Sequence, residues 1–318
     1  AKDESVLSYN QGRARARPVA EGPCENASRF DRRDSLKAGT LVATAAAMAA
    51  FAANSLLCRA ALGDGHIDAA SFSSLRVMAG ALTLGLILLL RGGDRNDSRG
   101  DWRTVLSLFA YIVFFSFAYL SLDAGTGALI LFGAVQLTMF AVALRQGERV
   151  TTTAWLGYVL AAGGLIYLVS PGVTAPAPFG ALLMAVAGVA WGLYSLFGKG
   201  VPDPLAATAR NFIWCVPLVL ITSVLMAGDL QVSVRGIVLA IVSGAITSGL
   251  GYVIWYAALA GLTASRAATV QLSVPVIAAL GGVLFLAEPV TLRLVLASVA
   301  TLGGVGIVLA QRSVGAAR

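Results

Sequence analysis

The sequence predicts an all-α integral membrane protein of ten transmembrane helices in two inverted five-helix repeats. Three observations lead there. Hydrophobic residues make up 58% of the 318 positions and charged residues only 12%, far from the balance of a soluble domain. The apolar residues gather into ten runs, each near the ~20 residues a helix needs to cross a bilayer. The two halves of the chain also repeat each other at a constant offset of 140 residues.

Particular residues carry the repeat. Phe51-Ala52-Ala53-Asn54-Ser55, followed by Arg59, returns as Trp191-Gly192-Leu193-Tyr194-Ser195, followed by Lys199. Gly147-Glu148-Arg149-Val150-Thr151 returns as Ala287-Glu288-Pro289-Val290-Thr291, and Gly163-Gly164 as Gly303-Gly304. Val135-Gln136-Leu137-Thr138 resembles Val270-Gln271-Leu272-Ser273 at a different spacing. The flanking sequence keeps the longer offset and pairs Val135 with Pro275, so the two glutamines are separate polar features. An internal repeat in a membrane chain points to a carrier whose substrate site lies where the halves meet.

In chain order, residues 1–36 come first. Six arginines are mixed there with six acids, Pro, Gly and Ser, with no apolar period, which predicts a disordered cytoplasmic tail. It lacks a short apolar core before a small-residue cleavage site, so no removable signal peptide is expected. The apolar runs follow at 38–57, 69–90, 104–122, 124–144 and 153–170, making a first repeat over 37–172. Those at 179–198, 205–227, 236–259, 267–287 and 292–311 make a second over 178–312. Gly125 and Gly261 mark the two shortest turns. Thr151 and Thr291 stand where they would cap the fifth and tenth helices, and Glu148 and Glu288 fall at the loops before them.

Positive residues favour the cytoplasmic side of short loops. With the tail inside, Arg91, Arg95, Arg99, Arg103, Arg145, Arg149, Lys199, Arg266, Arg312 and Arg318 lie inside, against Arg59, Arg235 and Arg293 outside. Both termini are therefore expected in the cytoplasm. An odd number of helices per repeat makes the halves antiparallel, related by an axis in the membrane plane.

Polar groups in hydrocarbon are costly unless they face a cavity or a partner. Asn54 and Tyr194 match by symmetry, each one helical turn after an aromatic residue, Phe51 or Trp191. They are expected to face one another across a central cavity. Tyr119 and Trp255 are the cavity candidates of the third and eighth runs, with Tyr111 and Tyr252 read as interfacial anchors. Gln136 and Gln271 add amides that both donate and accept. Pro275 deprives the Gln271 carbonyl of its helical donor. Trp191, Asn54, Tyr119, Gln136, Tyr194, Trp255 and Gln271 form the expected substrate cavity, and Arg76, Arg210 and Pro275 the gating or pathway set. For both arginines the plain account is snorkelling to a nearby surface. The sharper one makes them gates at opposite mouths or partners for a substrate carboxylate.

Other chemistries find little support. No Asp or Glu lies near the middle of a run, which argues against a carboxylate proton relay. Cys24, Cys58 and Cys215 have no disulfide or metal spacing. The single histidine, His66, sits in a loop. Serine hydrolysis needs a base beside its nucleophile, so an intramembrane enzyme is disfavoured, and no cofactor or metal is expected. The charge of +7 reads as an orientation signal, not a nucleic-acid footprint. The expected partners are a small-molecule substrate and the lipid bilayer, with monomer and homodimer both open.

The chain resembles the EamA-type ten-helix carriers of the drug/metabolite transporter superfamily. The resemblance rests on Leu75-Arg76, on Gly127-Ala128-Leu129 followed by Gln136-Leu137-Thr138, and on Gly147-Glu148-Arg149. In the second half it rests on Trp191-Gly192-Leu193-Tyr194, Pro275 before Glu288-Pro289, and the double glycine of the tenth run. It implies a pathway ringed by helices 1–4 and 6–9, helices 5 and 10 at the periphery, and export across a bacterial inner membrane. Val135 departs from the proline of the second repeat. Amino acids or related metabolites are the first expectation for the cargo, and hydrophobic drugs or toxic compounds the alternative.

Overall fold

The computed structural model describes the backbone of residues 23–92, 101–147, 151–198, 201–262 and 264–315, with side chains from 38 to 310 in those segments except 264–266. The chain divides into two compact units, Ala1–Gly39 and Thr40–Arg318. In the first unit the backbone is helical from Pro23 onward. Proline's fixed φ suits the first helical position. Residues 1–22 lie outside the described residues.

Among the described residues ten helices follow one another: α1 Pro23–Leu62, α2 Ala69–Arg91, α3 Trp102–Ala118, α4 Ala124–Arg145 and α5 Thr152–Val169, then α6 Pro178–Phe197, α7 Pro204–Leu225, α8 Val234–Leu259, α9 in two pieces (Ala264–Gln271 and Ser273–Leu286), and α10 Leu292–Gly315. Among the described residues nine helices are long and apolar enough to span a membrane, and α3 is shorter but apolar. Leu82, Leu156, Leu225 and Phe285 point outward, as a lipid-facing surface requires. Side-chain caps start the helices where the sequence places Asp, Ser or Thr. Asp68, Asp101, Asp203 and Ser233 accept from backbone N–H groups of the first turn, and so do the symmetry mates Thr151 and Thr291.

The chain crosses back and forth. The start of α6 at Gly180 lies against Ser121 and Leu122 in the α3–α4 turn, at the end of the bundle where α1 finishes. Repeat 2 thus begins where the first helix of repeat 1 ends, which makes the halves antiparallel. The end carrying the α1–α2, α3–α4, α7–α8 and α9–α10 connections is called the far face here, and the opposite end the terminus face.

One core cluster joins the repeats through α1–α4 and α6–α9, with Phe72, Phe115, Met184, Phe212 and Trp255 among its members. α5 and α10 sit outside most of it and pack on each other through two small clusters. Their contact is backbone to backbone. A Cβ on Gly157 would come within 2.6 Å of the Gly304 carbonyl oxygen, and one on Gly304 would strike the Gly157 carbonyl in return. Thr301 donates to the Ala161 carbonyl at 3.4 Å in the same seam. Arg293, at the start of α10, donates to the carbonyl oxygens of Leu168 and Ser170 at the end of α5. In each double glycine only the second member is in contact, since Gly163 and Gly303 face open space.

Gly304→Leu should therefore destabilise the protein by about 1–3 kcal/mol through overpacking, lowering the melting temperature of the detergent-purified protein, while Gly303→Ala leaves it unchanged. Equal melting of Gly304→Leu and the parent would refute this account of the seam.

Candidate functional site

A cavity of about 30 Å³ lies between the repeats, lined from α1 by Phe51, Asn54 and Ser55, from α2 by Arg76, from α3 by Tyr111 and Phe115, and from α4 by Leu131 and Phe132. The second repeat adds Trp191 of α6, Thr247, Ser248 and Tyr252 of α8, and Gln271 of α9. That volume holds a water or two, far short of the ~300 Å³ or more of a typical ligand pocket. The site is contracted in this conformation.

Its polar side is built by an irregular stretch of α8. Residues Ser243–Leu250 form a π-helix, a wider turn often found at functional sites. Gly244 sets this stretch directly on α2. A Cβ there would strike the Arg76 carbonyl and come within 2.9 Å of Ala79 Cβ. The stretch then presents three hydroxyls. Ser243 Oγ and Thr247 Oγ1 donate to Asn54 Oδ1 at 2.8 and 3.2 Å, and Ser248 Oγ accepts from Arg76 Nε at 3.3 Å. The Arg76 Nη2 atom donates to the Tyr111 hydroxyl at 3.3 Å, and the guanidinium lies 5.6 and 5.1 Å from the Tyr111 and Phe115 ring centres.

Aromatic side chains form the other wall. Trp191 stands at the centre, 4.7 Å from Tyr111, 5.3 Å from Tyr194 and 5.7 Å from Tyr252, ring centre to ring centre, and nearly parallel to the last. Phe51 packs on Tyr252 at 6.0 Å and edge-on to Trp255 at 5.8 Å. Phe51 and Trp191, symmetry mates in sequence, both reach the cavity.

The expected site residues divide. Asn54, Trp191, Gln271 and Arg76 line the cavity. Tyr194 is one layer away, its hydroxyl held by Thr208 and Asn211 at 3.4 Å each. Trp255 backs Phe51, and Tyr119 is fully buried with its hydroxyl donating to the Ala124 carbonyl at 3.3 Å. Gln136 is buried in α4, and Pro275 in α9, away from the lining; Arg210 of α7 is half-buried and also outside it. The helix is interrupted at Leu272, directly after Gln271, the residue whose carbonyl Pro275 deprives of a donor. Tyr111 and Tyr252 line the cavity where Tyr119 and Trp255 were expected to, and those two are buried behind it. The snorkelling account of Arg76 is also corrected. The residue is 1% exposed, walled in by α3 and α8. Ser243, Thr247, Ser248 and Gly244 were not singled out in sequence; their signal is a run of small and hydroxyl residues inside an otherwise apolar helix. Among the described residues no three His, Cys, Asp or Glu side chains gather as a metal site requires.

Comparison with known proteins agrees with this architecture. The sequence profile of the EamA-like transporter family matches residues 38–170 and again 178–310, one match per repeat. The chain belongs to the EamA-like transporter family. An uncharacterized protein of Pseudomonas aeruginosa is 52% identical over 279 residues, 88% of this chain and 97% of that one. An uncharacterized transporter of Archaeoglobus fulgidus is 29% identical over 76% of this chain and 89% of its own length. The uncharacterized transporter YoaV of Bacillus subtilis is 22% identical over 71% and 82%. A protein crystal structure 19% identical superposes with a TM-score of 0.61, over 84% of this chain and 95% of that one, which shows a shared fold.

The two faces of this transporter differ. At the far face Glu288, in the α9–α10 loop, reaches across to repeat 1. Both its oxygens accept from the Ala124 N–H, at 3.0 and 2.9 Å, capping α4 in place of Asp123, which makes no side-chain cap bond. Arg59 pairs with Glu288 at 3.3 Å and with Asp123 at 3.7 Å, and donates to the Tyr119 carbonyl. Nearby, the α1–α2 and α7–α8 loops are tied by an antiparallel bridge between Ile67 and Val232. At the terminus face a cleft of about 540 Å³ opens instead, lined by Ile87, Arg91, Pro202–Leu205, Val253, Tyr256 and Ala257. Tyr256 hydrogen-bonds Thr208 at 2.8 Å, and Thr208 bonds Tyr194, beside Trp191. A polar chain thus leads from the cleft toward the cavity.

Burial raises the Glu288 pKa above the ordinary carboxylate value; the Ala124 N–H and Arg59 oppose it and Asp123 adds to it. A carboxyl whose folded pKa is raised favours the folded state when protonated, and that contribution is lost as pH rises through the folded value. Lowering the pH through the upper carboxylate range should therefore raise the melting temperature of the parent relative to Glu288→Gln. The opposite slope, in paired thermal melts, would mean that Arg59 and the α4 N-terminus outweigh burial.

Proposed function

We propose that this protein is a secondary carrier that exports small organic solutes, amino acids or related metabolites first among them, by alternating access through the cavity between its repeats. The observation that supports this best is the cavity itself. Each repeat contributes polar and aromatic walls, and buried polar groups that face a cavity in a membrane bundle mark a pathway. Its small volume belongs to one state of a cycle. The Arg59–Glu288–Ala124 contacts close the far face, while the cleft near Arg91 and Tyr256 gives the terminus face an opening. The positive-inside pattern supports termini in the cytoplasm, and in that orientation this is a cytoplasm-facing arrangement suited to loading cargo for export from a bacterial cell. Antiparallel halves that exchange conformations give the reverse state.

Efflux of hydrophobic compounds is the second reading, favoured by the aromatic wall around Trp191. Proteoliposomes preloaded with unlabelled amino acids separate the two. Counterflow of labelled amino acid at several times the empty-liposome rate is expected; no exchange with any amino acid, together with export of a lipophilic dye, would overturn the first reading.

A further inference from the structure

The charge inventory of the cavity is one-sided. Arg76 is buried and its Nη1 atom makes no hydrogen bond within the protein. Among the described residues no carboxylate lies within ion-pairing distance of it. The groups it does meet, the hydroxyls of Ser248 and Tyr111 and two ring faces, solvate a cation without neutralising it. An unpaired charge in a low-dielectric interior is expensive, so an anion that reaches it gains what the protein leaves unmet. Asn54 points the same way. Its oxygen already accepts from Ser243 and Thr247, which leaves its amide N–H pair for a ligand. Both of these polar ends are donors; Gln271 adds a neutral amide that can donate or accept, and no acid lines the cavity to receive an ammonium group.

We propose that Arg76 is the anchor for a single carboxylate on the cargo, and that the α-amino group of an amino acid contributes little to its recognition. This inference rests on the carrier reading and narrows its substrate class to organic monoacids, amino acids included, with an apolar or aromatic body. The planar guanidinium fork matches a carboxylate edge to edge. One arginine supplies one unit of charge, which suits a monoanion. The walls formed by Trp191, Tyr252 and Phe51 take the uncharged remainder. A cationic amine finds π faces there as well, but it has to share the space with a guanidinium of the same sign.

The test is calorimetric titration of the purified protein with four matched probes: phenylacetate, L-phenylalanine, L-phenylalaninamide and phenethylamine. The two acids should bind at least about tenfold more tightly than the amide and the amine, the scale of a charge-assisted contact, with phenylacetate within about threefold of phenylalanine. Arg76→Gln should erase the preference and Arg76→Lys retain part of it. The parent series decides even if neither variant folds. Amine or amide binding within twofold of the acids, an acid preference that survives Arg76→Gln, or no binding of any probe overturns the proposal. Uptake of the same probes into proteoliposomes separates the two readings. An acid preference in binding without uptake keeps the anchor and rejects the carrier; uptake without an acid preference keeps the carrier and rejects the anchor.

Discussion

Arg76 holds a full charge in the middle of the bundle with 1% of its surface exposed and no acidic partner among the described residues. Such a group is tolerated only where the surroundings are arranged to solvate it. Much of the local architecture does that. The π-helical stretch of α8 brings Ser248 to its Nε atom. Gly244 lets α8 lie on the Arg76 carbonyl, closer than any side chain permits. Tyr111 turns its hydroxyl inward from α3. These contacts come from both repeats, so solvating one arginine also draws the halves together at their centre.

The division between what the sequence discloses and what it conceals follows from helix geometry. Hydropathy and the constant offset reveal the spans, because crossing a bilayer imposes length and composition regardless of packing. The helix break near Pro275 is legible for a similar reason, since a missing N–H acts locally. Which side of a span faces inward is much harder to read. In α3 and α8 aromatic residues occur around the helix, and a 3.6-residue period cannot separate Tyr111 from Tyr119, or Tyr252 from Trp255, when every face is apolar. Symmetry helps only partly. Phe51 and Trp191 both reach the cavity, but of Asn54 and Tyr194 only the first does, because Thr208 and Asn211 take the Tyr194 hydroxyl elsewhere. Ser243, Thr247 and Ser248 escape notice because hydroxyls in a helix can bond their own backbone, as Thr247 also does with the Ser243 carbonyl, and so carry no signature of a site.

Glu288 does work that its place in a repeated loop motif does not disclose. By position it belongs to the loop before α10, and Thr291 performs the capping there. Its carboxylate instead serves the N-terminus of α4, where aligned N–H groups attract negative charge, and meets Arg59 of α1 on the way. A residue of the second repeat thus completes a helix of the first. Contact between the repeats at the far face and integrity of α4 are joined in one side chain, whereas beside the terminus-face cleft the ion pair seen among the described residues is the solvent-exposed Arg91–Asp203, at 3.5 Å.

The glycine seam between α5 and α10 bears on how such a bundle can move. Backbones that touch at Gly157 and Gly304 have no side-chain slack to absorb a separation, and packed surfaces deform in steps and not continuously. These two helices contribute nothing to the cavity wall. In the carrier proposed above they would serve as an axle mounted beside the pathway: the other eight helices would swing about that line, and a shim inserted there would jam the swing without touching a single residue of the cavity wall.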